Sequence, residues 1–430
     1  ARKVGGTIRA VPLPTMGHEV MQVKYFSREQ QPQENQFQQN QFQENQFQQN
    51  QFQQQPTSSP TQELLQKTKA GKTWDKKSVV YFCGFSRVIF SPDTPKLGGS
   101  EKAVVNITRE WVKLGYDVTV YGNVIEGLYD GVKYLTTNRF NINDQFDTLI
   151  LWRGFGIPIL GQAKARNILI DFHDRTDMSY FPEEWFNKLN KAFVKSEWQK
   201  EILSKIPEDK YVVIENGLEN IFKEIQENSH TEDAHNNRNP LRFCYTSCYT
   251  RGLDKLLTYL WPLIIHKYPK AELHLYYGMD LVQENEKLRM ENLISLTSNV
   301  IDHGRVTIDE LNKSRAKSTY QLYLTEWSEI DCLSIREHCM AGCIPIISNV
   351  GVYKSRTGFH IDGETFDQKH YLQAFQQICE LIDDPKKIQQ EREKINYTER
   401  YWEDIAKEWV KLGDFSSLSE EPKSEEPKSE

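Results

Sequence analysis

Between residues 79 and 348 short apolar runs alternate with segments of helical periodicity, an order that confines the chain to α/β folds assembled from parallel βαβ units. Residues 79–84 read as the first strand. After a Pro-containing loop, Ala103, Ile107, Trp111 and Leu114 recur at helical spacing, and Gly115 ends the run. Residues 116–121, 147–152, 167–172, 191–194 and 212–214 continue the strands, and Asn216 and Gly217 then turn the chain. A second series occupies 241–246, 272–277, 300–303, 320–324 and 344–348, with RGLDKLLTYLWPLIIHKY and TIDELNKSRAKS as helices within it. The stretch 227–239 between the two series holds turn formers and charges without periodicity, as an interdomain linker does.

At 430 residues there is length for two such domains and tails. The expected organisation is a disordered, low-complexity region over 1–77, a Rossmann-like domain over 78–226, a linker over 227–239, a second Rossmann-like domain over 240–400, a helix over 401–413 and a disordered acidic tail over 414–430. From Asn35 the unit NQFQQ or NQFQE repeats four times. Gln, Asn and Phe without aliphatic residues build no packed core, so disorder is expected there, with self-association through polar and aromatic side chains as the alternative. The terminal SEEPKSEEPKSE is a charged, Pro-punctuated repeat of the same disordered kind.

A net charge of -7 argues against a general polyanion-binding surface and sets nucleic acid aside as a partner. The seven cysteines are odd in number and mostly sit in apolar patterns, which fits reduced core residues and a cytoplasmic location. Cys332, Cys339 and Cys343 crowd together, but no C-x2-C pair or His-x3-His partner accompanies them, so no metal site is expected. No apolar run approaches the ~18 residues of a membrane span, and no secretory signal is visible in the chain that starts at Ala1.

Candidate chemistry concentrates in TEWSEIDCLSIREHCMAGCIPIISNV, residues 325–350, where Glu329 and Glu337 stand eight residues apart across a loop-to-helix junction. Ser334 reads as lying near the helix start and Gly342 just past its end. Such a start offers free N–H groups and a positive dipole end to a diphosphate. Glu337, about one turn in, is placed to accept from both hydroxyls of a ribose. On spacing alone such a pair is more often two solvated surface charges. His173 and Asp174 directly follow the strand NILIDF and so project from the carboxyl end of their sheet, where open α/β domains place ligands.

The 325–350 segment resembles the E-x7-E signature of the retaining glycosyltransferases of family 4, whose fold is GT-B, two Rossmann-like domains facing a cleft. Where that family commonly continues the first glutamate with Gly-Phe-Gly, this chain has Ile330, Asp331 and Cys332. GGSEKAVVNITREWVKLGYDVTVYG looks like the family's first glycine-rich loop, helix and strand, which implies that Gly98 and Gly99 line the cleft. CYTSCYTRGLDKLL is similar to the element whose cations hold the donor diphosphate. Arg251 takes the matching position, Ser247 and Cys248 stand where a second basic residue is usual, and Lys255 is the candidate helper. The HGRV element, His303 to Val306, resembles the loop beside the nucleotide base.

The resemblance implies a glycosyltransferase that moves a sugar from a nucleotide-diphosphate donor to a hydroxyl acceptor on a glycan, a lipid or a protein-linked glycan. It needs no metal and no cofactor besides the donor. His173, Arg251 and Glu329 are its expected catalytic residues, and Asp174 orients the acceptor. Gly98, Gly99, Arg251, Tyr277, Gly278, His303, Gly304, Arg305, Asp331, Cys332, Leu333, Ser334 and Glu337 form the expected donor set. A nucleotide-sugar epimerase, a sugar phosphorylase or a catalytically degenerate assembly protein are the alternatives on the same fold.

Overall fold

The computed structural model describes residues 70–417 apart from 85–88, 95–96, 204, 280–281 and 364–365. The NQFQQ repeats and the SEEPKSEEPKSE tail, with the disorder and self-association expected of them, lie outside the described residues.

The first sheet holds β1 (Ser78–Phe82), β2 (Asp117–Gly122), β3 (Gly127–Tyr129), β4 (Val132–Thr136), β5 (Gln145–Trp152), β6 (Lys164–Asp171), β7 (Lys191–Val194) and β8 (Tyr211–Val213). Their order is β3-β4-β2-β1-β5-β6-β7-β8, parallel except where β3 runs against β4. All five residues of β1, SVVYF, are buried, as in a strand covered on both faces. The second sheet holds β9 (Asn239–Tyr245), β10 (Glu272–Leu275), β11 (Val300–Asp302), β12 (Ser318–Tyr323), β13 (Ile344–Ser348) and β14 (Phe359–Ile361). It is ordered β11-β10-β9-β12-β13-β14 and parallel throughout. Each sheet therefore reverses its winding direction once, between β1 and β5 in the first and between β9 and β12 in the second.

The principal helices are α1 (Gly99–Lys113), α2 (Glu197–Ile202), α3 (Ile221–Ser229), α4 (Ile308–Lys317), α5 (Leu333–Met340), α6 (Gln368–Ile382) and α7 (Trp402–Leu412). The chain crosses between the sheets twice, side by side. The Leu218 N–H donates to the Arg400 carbonyl at 3.0 Å, and the Trp402 N–H donates back to Leu218 at 3.2 Å. A Cβ on Gly217 would stand 2.5 Å from the Trp402 nitrogen, so the two crossings touch only because that residue is glycine.

The first crossing thus lies ahead of the polar stretch 227–239 that reads as a linker. That stretch is instead the end of α3, a short helix Glu232–Asn236 capped by the Thr231 hydroxyl, and the start of β9. Its polarity serves caps and carbonyls. The buried Arg238 guanidinium donates to Ser229 O, Ala341 O, Ser318 O and Arg315 O. After the second crossing α7 packs on the first domain. There Trp409 stacks on Phe193 with centroids 3.4 Å apart and meets Trp111 edge-on at 5.6 Å.

The first domain also begins ahead of the residue 78 read from the sequence, and its packing continues past 413, where the sequence reading ends the final helix and begins a disordered tail. Trp74 donates its indole N–H to Asp144 at 2.9 Å, ahead of residue 78, and Phe415 is buried beside Trp111 and Tyr116, beyond residue 413. Single aromatic anchors in polar surroundings leave no period to read.

Candidate active site

The loops that follow β9, β10, β11 and β12 emerge at the carboxyl edge of the second sheet, and those after β9 and β12 flank its point of reversal, where open α/β sheets hold ligands. Tyr245 donates its hydroxyl to the carbonyls of Cys248 and Arg251, pinning the β9 loop. Gly252 has φ +90°, and a Cβ there would sit 3.0 Å from the Leu324 carbonyl, so the two loops meet across a glycine. This closeness brings Arg251 to Glu329. One guanidinium nitrogen, Nη1, donates to Glu329 Oε1, and the guanidinium lies 4.9 Å from the centre of the Trp327 ring. Burial is the largest single influence and disfavours the arginine charge, but Glu329 together with Tyr323, Cys248 and Tyr277 holds Arg251 above its ordinary value. Both side chains keep partial exposure, 29% and 21%.

Glu337 and Ser334 sit on α5. The Arg315 guanidinium donates to Glu337 Oε2 and to Asn312 Oδ1, the latter at 2.7 Å. The Ser334 hydroxyl shares a 2.8 Å hydrogen bond with Thr246, tying the helix start to the β9 loop. The N–H groups of Leu333 and Ser334 head the helix without intrahelical acceptors. Ser334, Leu333, Arg251 and Glu329 therefore lie at one edge, and Glu337 sits about one turn further along α5, held by Arg315.

Asp331 and Cys332 have other work. Asp331 accepts from the Asn216 N–H at 3.1 Å, from Asn216 Nδ2 at 2.8 Å and from Arg356 Nη2 at 2.7 Å, with Arg336 Nη1 at 3.5 Å. Burial opposes its charge, and Arg356 and Arg336 outweigh it, holding the carboxyl below its ordinary value. Asn216 belongs to the crossing from the first domain, and Ser196 of the first domain donates to the Ile330 carbonyl at 2.7 Å. Asp331, expected to contact the donor, thus joins the loop to the domain junction instead. Cys332 caps α5 with φ +58° and ψ +63°, a left-handed conformation that costs a non-glycine residue about 1 kcal/mol or more.

On the side expected for the base, Gly304 and Gly278 take φ +62° and +74°, and the Tyr277 N–H donates to the Gly304 carbonyl at 3.0 Å. A Cβ on Gly278 would stand 3.1 Å from the Arg305 nitrogen, and the Arg305 guanidinium lies 5.5 Å from the Tyr277 ring centre. The His303 ring is stacked on Tyr276 at 4.6 Å, and its Nε2 is 2.9 Å from His274 Nδ1. That leaves backbone groups as the loop's offer to a base.

In the first domain a centre that the sequence reading missed surrounds Asp171. This buried carboxylate accepts from the Tyr81 hydroxyl at 2.5 Å and from Lys195 Nζ at 2.6 Å, and His173 Nε2 lies 2.9 Å away. Burial opposes the Asp171 charge, and the adjoining His173 and Lys195 outweigh it, so it stays ionised. An ionised carboxylate only accepts, which puts the His173 proton on Nε2 and a lone pair on Nδ1. Burial, partly offset by Asp171, lowers the His173 pKa and keeps the ring neutral. Asp171 closes the very strand that His173 follows, so a carboxylate ending an apolar run was the available signal.

Arg153, also missed, directly follows β5 with φ +57°. Its guanidinium lies over Trp152 at 3.9 Å, 2.9 Å from Asp174 Oδ2 and 3.7 Å from Glu101 Oε1. It links Asp174 to the first turn of α1. There a Cβ on Gly98 would strike Glu101 Oε2 at 2.4 Å, while one on Gly99 would meet nothing within 4 Å. Among the described residues, His173 and Asp174 make no direct contact with Arg251, Glu329 or Glu337.

No family model and no curated protein sequence matches this chain. Solved structures do. A sucrose-phosphate synthase from Thermosynechococcus elongatus superposes with a TM-score of 0.57 at 14% identity, covering 78% of this chain and 98% of that one. A glycosyltransferase from Rickettsia africae gives 0.55 at 16%, covering 80% and 100%. HepE of Anabaena, solved in complex with UDP and glucose, gives 0.53 at 13%, covering 78% and 98%. The fold of this chain is GT-B.

Proposed function

We propose that this chain is a retaining glycosyltransferase, similar to family 4, that moves a sugar from a nucleotide-diphosphate donor to a hydroxyl acceptor. The observation that carries the reading is the meeting of Arg251, Glu329 and the α5 start at the reversal point of the second sheet, with Glu337 about one turn further along that helix. Arg251 has one nitrogen on Glu329 and further N–H donors for phosphate oxygens. The Leu333 and Ser334 N–H groups add donors and a dipole end for the same diphosphate. Glu337, steadied by Arg315, takes the ribose hydroxyls.

In the step that follows, the bond from the anomeric carbon to the diphosphate oxygen breaks while the acceptor oxygen attacks on the same face. The acceptor proton passes to the leaving diphosphate oxygen, so no protein nucleophile is required. Arg251 and the helix start stabilise the charge that grows on that oxygen. His173, neutral with its Nδ1 lone pair presented, orients a hydroxyl of the donor sugar or the acceptor, and Asp174 orients the acceptor. No metal takes part in this step. The free state of all seven cysteines supports a reducing, cytoplasmic setting. Among the described residues no helix is long and apolar enough to cross a membrane.

A calorimetric screen of UDP, GDP and ADP sugars tests the reading. One donor is expected to bind, and to release its nucleoside diphosphate when a hydroxyl acceptor is added. Binding by none of them would overturn the proposal, and sugar conversion without diphosphate release would point to epimerisation.

A further inference from the structure

Cys244 on β9, Cys343 just ahead of β13 and His338 on α5 are 0% exposed, and their ligand atoms all lie within 4.8 Å of one another. They lie behind the crevice, and His338 meets it through the Ser334 carbonyl. The two sulfurs are 3.9 Å apart. His338 Nδ1 donates to the Ser334 carbonyl at 2.5 Å, which fixes the tautomer and leaves a lone pair on Nε2. That Nε2 is buried without a hydrogen-bond partner. An orphaned imidazole lone pair facing two thiols is the arrangement a soft cation satisfies.

We propose that Cys244, His338 and Cys343 bind one thiophilic d10 cation, Zn2+ or Cu+, as a structural staple. Two thiolates at about 2.3 Å from a shared ion at a tetrahedral angle stand roughly 3.8 Å apart, which the sulfur separation matches. A disulfide does not fit the same pair. Cys244 lies opposite Gln321 of β12, and Gln321 lies opposite Pro345 of β13. The two cysteine-bearing segments are therefore separated by a whole strand, about 9.5 Å of backbone, against the ~7 Å limit for a disulfide.

The local sequence explains how the ligands meet. Gly342, at φ +66°, stops α5 in a left-handed turn, and the Cys343 N–H closes back onto the His338 carbonyl at 2.9 Å. His338 and Cys343 so reach the same side of the helix end, while Cys244 arrives from β9. Cys332 and Cys339, which crowd with Cys343 in the sequence, are not members. Binding displaces one proton from each thiol to solvent, leaving two thiolates and a neutral imidazole around the ion. The ion ties β9 to β13 across β12 and anchors α5, the helix that carries Ser334 and Glu337.

The test is elemental analysis of the full chain purified without a metal-affinity step, for zinc and copper separately. About one equivalent of one of them is expected, falling below a tenth in the Cys244→Ser/Cys343→Ser double variant and in His338→Ala. Should those variants not fold, chelation of the parent chain gives the second measurement. Stripping the ion is expected to lower the unfolding midpoint by roughly 5 °C or more, with recovery on adding the same ion back. Zinc or copper identifies which cation serves. A chain that stays metal-free after incubation with one equivalent of either ion, or whose midpoint ignores chelation and re-addition, overturns the proposal and leaves a buried thiol–imidazole contact.

Discussion

Two arginine–carboxylate systems stand a few residues apart on the same loop and helix, and they differ in nearly everything except their chemistry. Arg251 and Glu329 are partly exposed, and the arginine has donors to spare. Arg336 is buried, with Nε and Nη2 on the two Glu399 oxygens at 2.9 and 2.5 Å and Nη1 on the Asn216 carbonyl at 2.6 Å. Asp331 and Arg356 extend this second system to the domain junction. A ligand can replace one partner of the exposed pair, because solvent reaches it. The buried network has no such freedom, since removing any member strands a charge away from water.

The comparison breaks first at Arg336. Arg336→Ala is expected to cost about 3–5 kcal/mol in urea unfolding, because it leaves Glu399 buried and unpaired; a loss under about 1 kcal/mol would mean the network is not a structural unit. Arg251→Ala should do the reverse. Transfer is expected to fall by about 100- to 1,000-fold, with stability changed by less than about 1 kcal/mol. Equal damage to folding and activity by both variants would erase the distinction.

Acid separates other groups. Folded His173 sits below its ordinary value, and His235 is pushed down to about 4 by burial and the guanidinium groups of Arg392 and Arg238. Below about pH 6.5 the unfolded chain takes up protons that the folded chain refuses, so their stabilisation is full above that pH and declines toward 4. Asp331 and Asp171 are carboxyls lowered on folding, so their contribution is complete above about pH 3.9 and is lost only as pH drops below that. Urea midpoints should therefore decline from pH 6.5 while the junction still holds, and a flat profile down to pH 4.5 would contradict the histidine assignment.

The smallest effect sharpens the loop between the two systems. Cys332→Gly relieves the left-handed strain and is expected to leave thermal stability unchanged or raise it by up to about 1 kcal/mol. A loss of that size would show that the Cys332 side chain contributes more by packing than its backbone costs.

Much of the architecture was legible because each strand and helix carries its own period. The strands read over 79–84, 191–194 and 344–348 lie within a residue or two of β1, β7 and β13. The hairpin β3–β4 and the strand β14 escaped because GLY, VKYLT and FHI are partly exposed and hold no continuous apolar run. At the candidate site, Arg251, Glu329, Ser334 and Glu337 were singled out through one motif and one loop. Their supports were not. Arg315 lies 22 residues from Glu337, and Glu399 lies 63 from Arg336. Lys195 lies 24 from Asp171, and Cys244 lies 99 from Cys343. Pairings of that span are made by tertiary packing and leave no local trace.

The return of α7 to the first domain also sets an order of events during synthesis. The Tyr116 hydroxyl donates to the Ser416 carbonyl across 300 residues, and Trp409 fills the space beside Trp111 and Phe193. A nascent chain makes its first domain early but cannot finish that core until the whole second domain has emerged. The second domain can complete itself in that interval, while the apolar face of α1 waits uncovered. Ribosomes that stall near residue 400 would therefore release a chain with one finished half and one adhesive half.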